Sequence, residues 1–435
     1  MASVGRGTVL DPGAPLSIAY LTYRGKPHVG GQGVYTRHLT KALVDLGHSV
    51  EVLGGPPYPD LDERVALTEL PSLETFNDHF PGRMPGWWEL DDRYDVLELL
   101  QFMKGTFPEP LAFSARAAHA LVDRADEFDL VHDNQCLGYG IRRIEKRIPT
   151  IVTLHHPITK DRELEMADAA TPWKRLSVGR WYAFVKMQSR VAARMPRIVV
   201  VSQNSIDDIH TDMGVSRDRM RLVPVGVDPE LFRPLHGVEP IPGRLITTAS
   251  ADVALKGLSF LVEAMAKLRT ERDVTLTIIG SPKPSRSMRL IDELGLGPHI
   301  EFVSGVPDER IVELYAEAEL AVVPSLYEGF SLPAIEAMCT ATPLVATDGG
   351  ALPEVTGADG ETVLQCPAGD ADALAVAIGR GLDDPELRAR IGEAGRRRVL
   401  DRWTWTRCAE LTVEQYREVL SMPSNVDKLR RNGRL

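Results

Sequence analysis

At about 100–200 residues per domain, a chain of 435 residues is too long for one ordinary domain, and 43% hydrophobic with 26% charged residues is ample for two cores. A formal charge of −11 argues against general affinity for nucleic acid and says nothing about local basic patches. Four scattered cysteines, Cys136, Cys339, Cys366 and Cys408, show no C-x-x-C spacing and exclude a zinc cluster or disulfide framework, and without a signal-like leader or a run of about 18 apolar residues the chain is expected to be cytoplasmic.

In chain order, "LSIAYLTY" reads as a strand, "RGKPHVGGQG" as a Gly-rich turn, "VYTRHLTKALVDLG" as a helix stopped at Gly47, and "SVEVLGG" as a second strand. This βαβ opening predicts a parallel sheet, continued by "FDLVHDNQ", "PTIVTLHH", "RIVVVS" and "MRLVPVGV". Each run ends in polar or Gly residues, at the strand ends where open α/β sheets place ligands. Residues 56–110 fit no plain alternation and read as a long connection or inserted hairpin shaping a substrate site. Thr171 to Arg197 carries Lys174, Arg175, Arg180, Lys186, Arg190, Arg194 and Arg197 with no acid. Lys186, Arg190 and Arg194 share one helical face, and Trp181, Phe184, Val185 and Val191 another.

A second βα series starts near Gly243 with "RLITTAS", "LSFLVEAMAKLRT", "VTLTIIGS", "HIEFVSG", "ERIVELYAEAE", "LAVVPS" and "PLVATDGG". The Pro- and Gly-rich "PVGVDPELFRPLHGVEPIPG" marks the join. The expectation is two Rossmann-like domains facing each other across a cleft, residues 1–228 and 229–402, with a tail over 422–435.

"VPSLYEGFSLPAIEAM" places Glu328 and Glu336 eight positions apart around a predicted helix start. Ser331 suits the N-cap and Pro333 the first turn, so unpaired N–H groups and the dipole of a helix at a strand's carboxyl end make a phosphate site. One turn in, Glu336 is placed for a ribose hydroxyl pair; Glu328, before the turn, for a sugar ring. Taken alone, both glutamates read better as surface charges; the Glu-Gly-Phe-Ser-Leu-Pro context reverses that preference. "GGQG", Gly30 to Gly33, suits close approach of backbone to a phosphate or sugar. It lacks the G-x-G-x-x-G spacing, and the following strand ends "VLGG" without an acid, which argues against a NAD site. "DAD" at Asp370 to Asp372 opens a helix and reads as a cap, not a metal ligand set.

"YEGFSLPAIEAMCTATPLVATDGGALPEV" resembles the Glu-x7-Glu region of retaining glycosyltransferase family 4, which has the GT-B fold. The resemblance extends through "GGQGVYTRHLTKALVDLGHSVEVL", "IVTLHHP", "PVGVD" and "DRWTWTRCAELTVEQYREVL". It implies that a helix over about residues 403–421 packs back on the first domain. It also implies catalytic roles for His155, Lys256 and Glu328. Donor contacts would come from Gly31, Ser250, Lys256, Glu328, Gly329, Phe330, Ser331, Leu332 and Glu336. Gly30, Gly31, Gln32, Gly33 and His155 would lie on the acceptor side. Lys256 would neutralise the donor diphosphate. Many relatives have an arginine about six positions earlier, where this chain has Ser250, so one of two expected cations is missing.

The function expected is metal-independent, retaining hexosyl transfer without cofactor from a nucleotide diphosphate sugar, uridine favoured and guanosine second, to a hydroxyl of a lipid-linked, saccharide or natural-product acceptor. A nucleotide-sugar epimerase or hydrolase, or a non-catalytic nucleotide-sugar-binding protein, is the alternative. The basic segment reads as a solvated helix face or as a peripheral contact with anionic membrane at the inner face.

Overall fold

The computed structural model describes residues 9–26, 31–76, 82–249, 254–282 and 285–435. The chain forms two compact units. One comprises Met1–Val201, Ile206–Val223 and Cys408–Leu435, the other Ser202–Ser205 and Pro224–Arg407.

The first unit is built on β1 (Ser17–Thr22), β2 (Ser49–Gly54), β3 (Ala66–Glu69), β4 (Leu130–Asn134), β5 (Thr150–Leu154), β6 (Ile198–Val200) and β7 (Met220–Leu222), ordered β3-β2-β1-β4-β5-β6-β7 with parallel pairing. The central strands β4, β5 and β6 are buried along their whole length, as expected of a parallel sheet covered on both faces. The order reverses between β1 and β4, where Ile18 pairs with Leu130. In open α/β sheets the crevice outside the carboxyl ends of two such strands is the ligand position.

The second unit repeats the logic with β8 (Ile241–Thr248), β9 (Thr275–Ile279), β10 (Ile300–Val303), β11 (Ala318–Val323), β12 (Leu344–Thr347) and β13 (Leu364–Cys366), ordered β10-β9-β8-β11-β12-β13. Its reversal lies between β8 and β11, paired at Leu245 and Leu320. Leu245, Leu320, Val322 and Val345 are fully buried beneath the Leu258–Leu268 helix, whose Leu261, Val262 and Met265 face inward.

Four local expectations need correction. Residues 56–110 hold no hairpin among the described residues. Ala66–Glu69 joins the sheet as a parallel edge beside β2, and Asp92 and Asp95 form a capping box that opens the helix Arg93–Met103. The basic segment is broken into a helix Pro172–Trp181, a 3-10 turn Tyr182–Phe184 and a helix Val185–Ala192. Arg197 is no part of its exposed face, being buried and paired with Glu418 at 2.7 Å. Residues 422–435, expected as a tail, contain a helix Pro423–Arg431, held by Lys428 on Glu145 at 3.0 Å and followed by Arg434 on Asp129 at 2.7 Å.

Candidate active site

Two strand ends supply the charged groups of the second unit. Beyond β8, a 3-10 turn Ala254–Lys256 carries Lys256; beyond β11, the loop from Pro324 carries Glu328. The Leu326 N–H donates to the Leu255 carbonyl at 2.7 Å, which fixes the two segments together. Gly257 makes that approach possible, because its φ is +62° and a Cβ there would sit 2.0 Å from the Pro324 carbonyl oxygen. Lys256 Nζ thereby reaches Glu328 Oε1 at 2.8 Å, and the Ser325 hydroxyl donates to the same oxygen at 2.7 Å. Glu328 is buried and Lys256 half-buried. From the β12 side, the Ala351 N–H donates to the Glu328 carbonyl at 2.9 Å, and Gly350, at φ +63°, leaves room that a Cβ would fill at 2.4 Å from that oxygen.

The helix Leu332–Cys339 follows. Ser331 is its N-cap, with its Oγ accepting from the Ala334 N–H at 3.4 Å, and Pro333 stands in the first turn. Ser331 has φ +93°, a conformation that costs a non-glycine residue about 1–3 kcal/mol and collects at functional sites. Phe330 is buried edge-on against Trp403, with centroids 5.7 Å apart. Gly329 accepts from the Ser205 hydroxyl through its carbonyl at 3.3 Å. Glu336 lies one turn into the helix, half-buried, and its carboxylate has no hydrogen-bond or ion-pair partner among the described residues. Burial, with Asp308 nearby, pushes its pKa up to about 7. The carboxylate lies near Tyr315, whose hydroxyl is 3.2 Å from Thr248 Oγ1 at the end of β8.

At the first unit's strand ends, Gln32 and Gly33 lie in the first turn of the helix Gly31–Asp45. The glycines differ. A Cβ on Gly31 would meet nothing within 4 Å, whereas on Gly33 it would strike the Lys26 carbonyl at 1.8 Å. Gly33 is therefore required by packing, whereas among the described residues no packing contact requires a glycine at position 31. His155, just beyond β5, is half-buried with Nε2 2.8 Å from Asn134 Oδ1, and its ring meets Tyr35 edge-on at 4.6 Å. Desolvation, with His156 beside it, pushes the His155 pKa down to about 3. His156 instead pairs with Asp161 at 2.8 Å. Gly30 and Ser250 lie outside the described residues.

The geometry thus gathers Lys256, Glu328, Gly329, Phe330, Ser331, Leu332 and Glu336 in one unit, and Gly31, Gln32, Gly33 and His155 in the other. Ser325, Tyr315 and Asn134 were not singled out from the sequence. Asn134, next to last in the strand-like "FDLVHDNQ", was the most accessible of them, since polar strand ends are ligand positions. Asp370 caps its helix by accepting from the Ala373 N–H at 2.9 Å, and Asp372 pairs with Lys267.

A family model described as Glycosyl transferases group 1 matches residues 239–398, and one described as Glycosyltransferase Family 4 matches residues 29–231. Over 409 residues, 93% of this chain and 99% of the relative, the chain is 48% identical to an MMP alpha-(1->4)-mannosyltransferase of Mycolicibacterium hassiacum. It is 26% identical over 428 residues to a D-inositol 3-phosphate glycosyltransferase of Corynebacterium urealyticum, covering 93% of this chain and 94% of that one. Among solved structures, sucrose-phosphate synthase from Thermosynechococcus elongatus matches with a TM-score of 0.70 at 25% identity, covering 93% of this chain and 99% of the other.

Proposed function

Because the chain belongs to glycosyltransferase family 4, with the two Rossmann-like units of GT-B enzymes, we propose that it is a retaining hexosyltransferase that moves a sugar from a nucleotide diphosphate donor to an acceptor hydroxyl. The observation that carries this reading is the Lys256–Glu328 pair at the second unit's strand reversal, one loop from a capped helix start and from Glu336, whose carboxylate has no hydrogen-bond or ion-pair partner among the described residues. A diphosphate at that helix start meets N–H groups, the positive dipole end and the Lys256 ammonium. Glu336 then takes the ribose hydroxyls, and Glu328, buried and held by Ser325, takes a sugar hydroxyl.

As the glycosidic bond breaks, negative charge grows on the leaving diphosphate, where an ammonium held in place stabilises it. The acceptor attacks the face from which the diphosphate departs, and a phosphate oxygen takes its proton, so the protein supplies alignment in place of a base. Neither a metal ion nor a cofactor is assigned a part. On the first unit, Gly31, Gln32 and His155 are assigned to the acceptor side. The name of the 48%-identical relative specifies mannose and an α-(1→4) linkage, which supports mannose as the sugar. It does not specify the base.

The test is incubation with uridine and guanosine diphosphate sugars, GDP-mannose included, with and without saccharide and lipid-linked acceptors, in the presence of chelator. Transfer with retained anomeric configuration supports the reading. Altered or hydrolysed sugar without transfer indicates an epimerase or hydrolase, and unchanged donor that binds indicates a binding protein.

The helix Pro172–Trp181 bears on the acceptor class. Its Trp173 and Leu176, with Met103, Lys104 and Arg180, line an open groove of about 310 Å³. Exposed aromatic and basic side chains of this kind suit a peripheral contact with an anionic membrane surface, and hence a lipid-linked acceptor.

A further inference from the structure

The backbone register between β4 and β5 ends where Asn134 meets Thr153. One residue later the chain turns away, and the side chain of Gln135 continues the pairing in its place. Its Oε1 accepts from the His155 N–H at 2.7 Å, and its Nε2 donates to the His156 carbonyl at 3.0 Å. These partners fix which end of the amide is oxygen, since a main-chain N–H only donates and a carbonyl only accepts. The amide thus acts as one more rung of sheet, placed on the two histidines that follow β5.

That grip depends on an unfavourable backbone. Gln135 has φ +57° and Leu137 φ +52°, the left-handed region where a Cβ crowds the following carbonyl oxygen and which glycine enters freely. The turn is held there from two sides. Gln188, buried on the helix Val185–Ala192, donates through Nε2 to the Gln135 carbonyl at 3.3 Å and the Cys136 carbonyl at 3.1 Å. Asp133 Oδ2 accepts from the Leu137 N–H at 2.9 Å. Leu137 is accounted for by the core, into which its side chain packs. For Gln135 the amide is the reason: glycine would fit the turn without strain but could not reach His155. Strained residues over-determined by their surroundings collect at functional sites.

We propose that Gln135 is a positioning residue for sugar transfer, holding the His155–His156 backbone so that the His155 ring is in place on the acceptor side before a ligand binds. The role in transfer rests on the assignment of His155 to that side, while the grip itself stands on the geometry alone. Asn134 complements it, with Oδ1 2.8 Å from His155 Nε2, so that adjacent residues at the end of β4 hold the ring and the main chain of one histidine.

The test uses the full-length protein and compares two variants. Gln135→Gly suits the left-handed backbone and deletes the amide, whereas Gln135→Met keeps the length and the strain and removes the hydrogen bonds. In both, hydrogen exchange at the His155 amide should quicken by about tenfold or more. In both, kcat should fall by roughly 10–100-fold, the scale of a misplaced group at a reacting centre, while KM for the donor stays within about twofold. Melting temperature separates positioning from structure. It should drop in Gln135→Met and stay near wild type in Gln135→Gly, because relief of the turn offsets the lost bonds, and His155 and His156 are half-buried, within reach of water. A kcat that follows the melting temperature, high in Gln135→Gly and low in Gln135→Met, would make Gln135 a structural residue and overturn the proposal, as would full activity in a variant whose His155 amide is released. A wild type that transfers sugar from no donor would instead fail the functional reading, and the exchange rates would still decide whether Gln135 holds His155.

Discussion

Lys256 and Glu328 form an ion pair of 2.8 Å although 72 residues separate them, because the turn after β8 and the loop after β11 are bonded to each other through Leu255 and Leu326. The ammonium is thus already in place before any donor arrives, and its anion is a carboxylate that keeps a second partner in Ser325. Lys256→Ala should leave the fold largely intact and raise the barrier to transfer by roughly 2–4 kcal/mol, as for other lost charge-stabilising donors. Turnover at saturating donor measures it. Near-normal kcat would mean that the diphosphate is stabilised by other groups.

Glu336 makes two predictions with one side chain. In its proposed role as a ribose ligand it would bind ground and transition states alike, so Glu336→Ala should raise KM for the donor and change kcat little. Its folded pKa of about 7 lies above the ordinary glutamate value of 4.5. The folded state therefore holds a proton that the unfolded state has lost between those values, and stability falls as pH rises from about 4.5 through 7. Glu336→Gln removes that dependence. Its melting temperature should exceed the wild type's at pH 8 and converge with it at pH 4.5, and an equal offset at both would refute the assigned ionisation.

Gly257→Ala should be among the most damaging substitutions in the second unit. The new methyl would meet a backbone carbonyl, which cannot swing aside, at a φ of +62° that L-residues adopt at a cost of about 1–2 kcal/mol. With the overpacking term the expected loss is roughly 2–5 kcal/mol. Any protein that still folds should show weakened donor binding, because the turn that aims Lys256 must move. A melting temperature within a degree or two of wild type would contradict this.

How far the site was legible differs residue by residue. The strand–turn–helix of "LAVVPSLYEGFSLPAIEAM" could be read locally, since Ser331, Pro333 and the apolar run each have a fixed place at a helix start. The Lys256–Glu328 pair could be anticipated only through resemblance, since nothing local brings together residues 72 positions apart. Gly257 and Gly350 carry no local signal, because their requirement comes from carbonyls of another segment. Asn134 offered only its place at a polar strand end, because its partners are at Gln32, Thr36 and His155. The strand β3 was missed because an edge strand of four residues has too little periodicity to stand out in a long connection.

The basic segment gives the last prediction, and the structure shifts it from one group of cations to another. In the helix Val185–Ala192 the apolar face, Val185, Met187 and Val191, is already buried in the core, and Arg190 and Arg194 bond to Tyr139 Oη and the Arg190 carbonyl. Such a helix has no apolar face left to insert. In Pro172–Trp181 the situation is reversed: Val178 alone is buried, Trp173 is 80% and Leu176 50% exposed, and Met103 beside them is 65% exposed. Lys104, Lys174, Arg175 and Arg180 have no ion-pair partner among the described residues, unlike Arg116, Arg124, Arg244 and Arg310, which are matched to acids. A second copy docking there by this face would oppose like charges, whereas an anionic bilayer accepts both the cations and the apolar side chains. Co-sedimentation with phosphatidylglycerol-containing vesicles should show binding that weakens between low and moderate salt, since screening limits each charge to about 8–10 Å. Replacing Lys174, Arg175 and Arg180 together by Gln should reduce binding strongly, at about 1 kcal/mol per cation, while the same change at Lys186, Arg190 and Arg194 should reduce it less. Trp173→Ala should weaken binding that remains at high salt, because that part is apolar. Absence of binding at low salt would leave Pro172–Trp181 as ordinary surface and the acceptor a soluble molecule; equal effects of the two triple variants would mean that long-range charge attracts the vesicle without a docked helix.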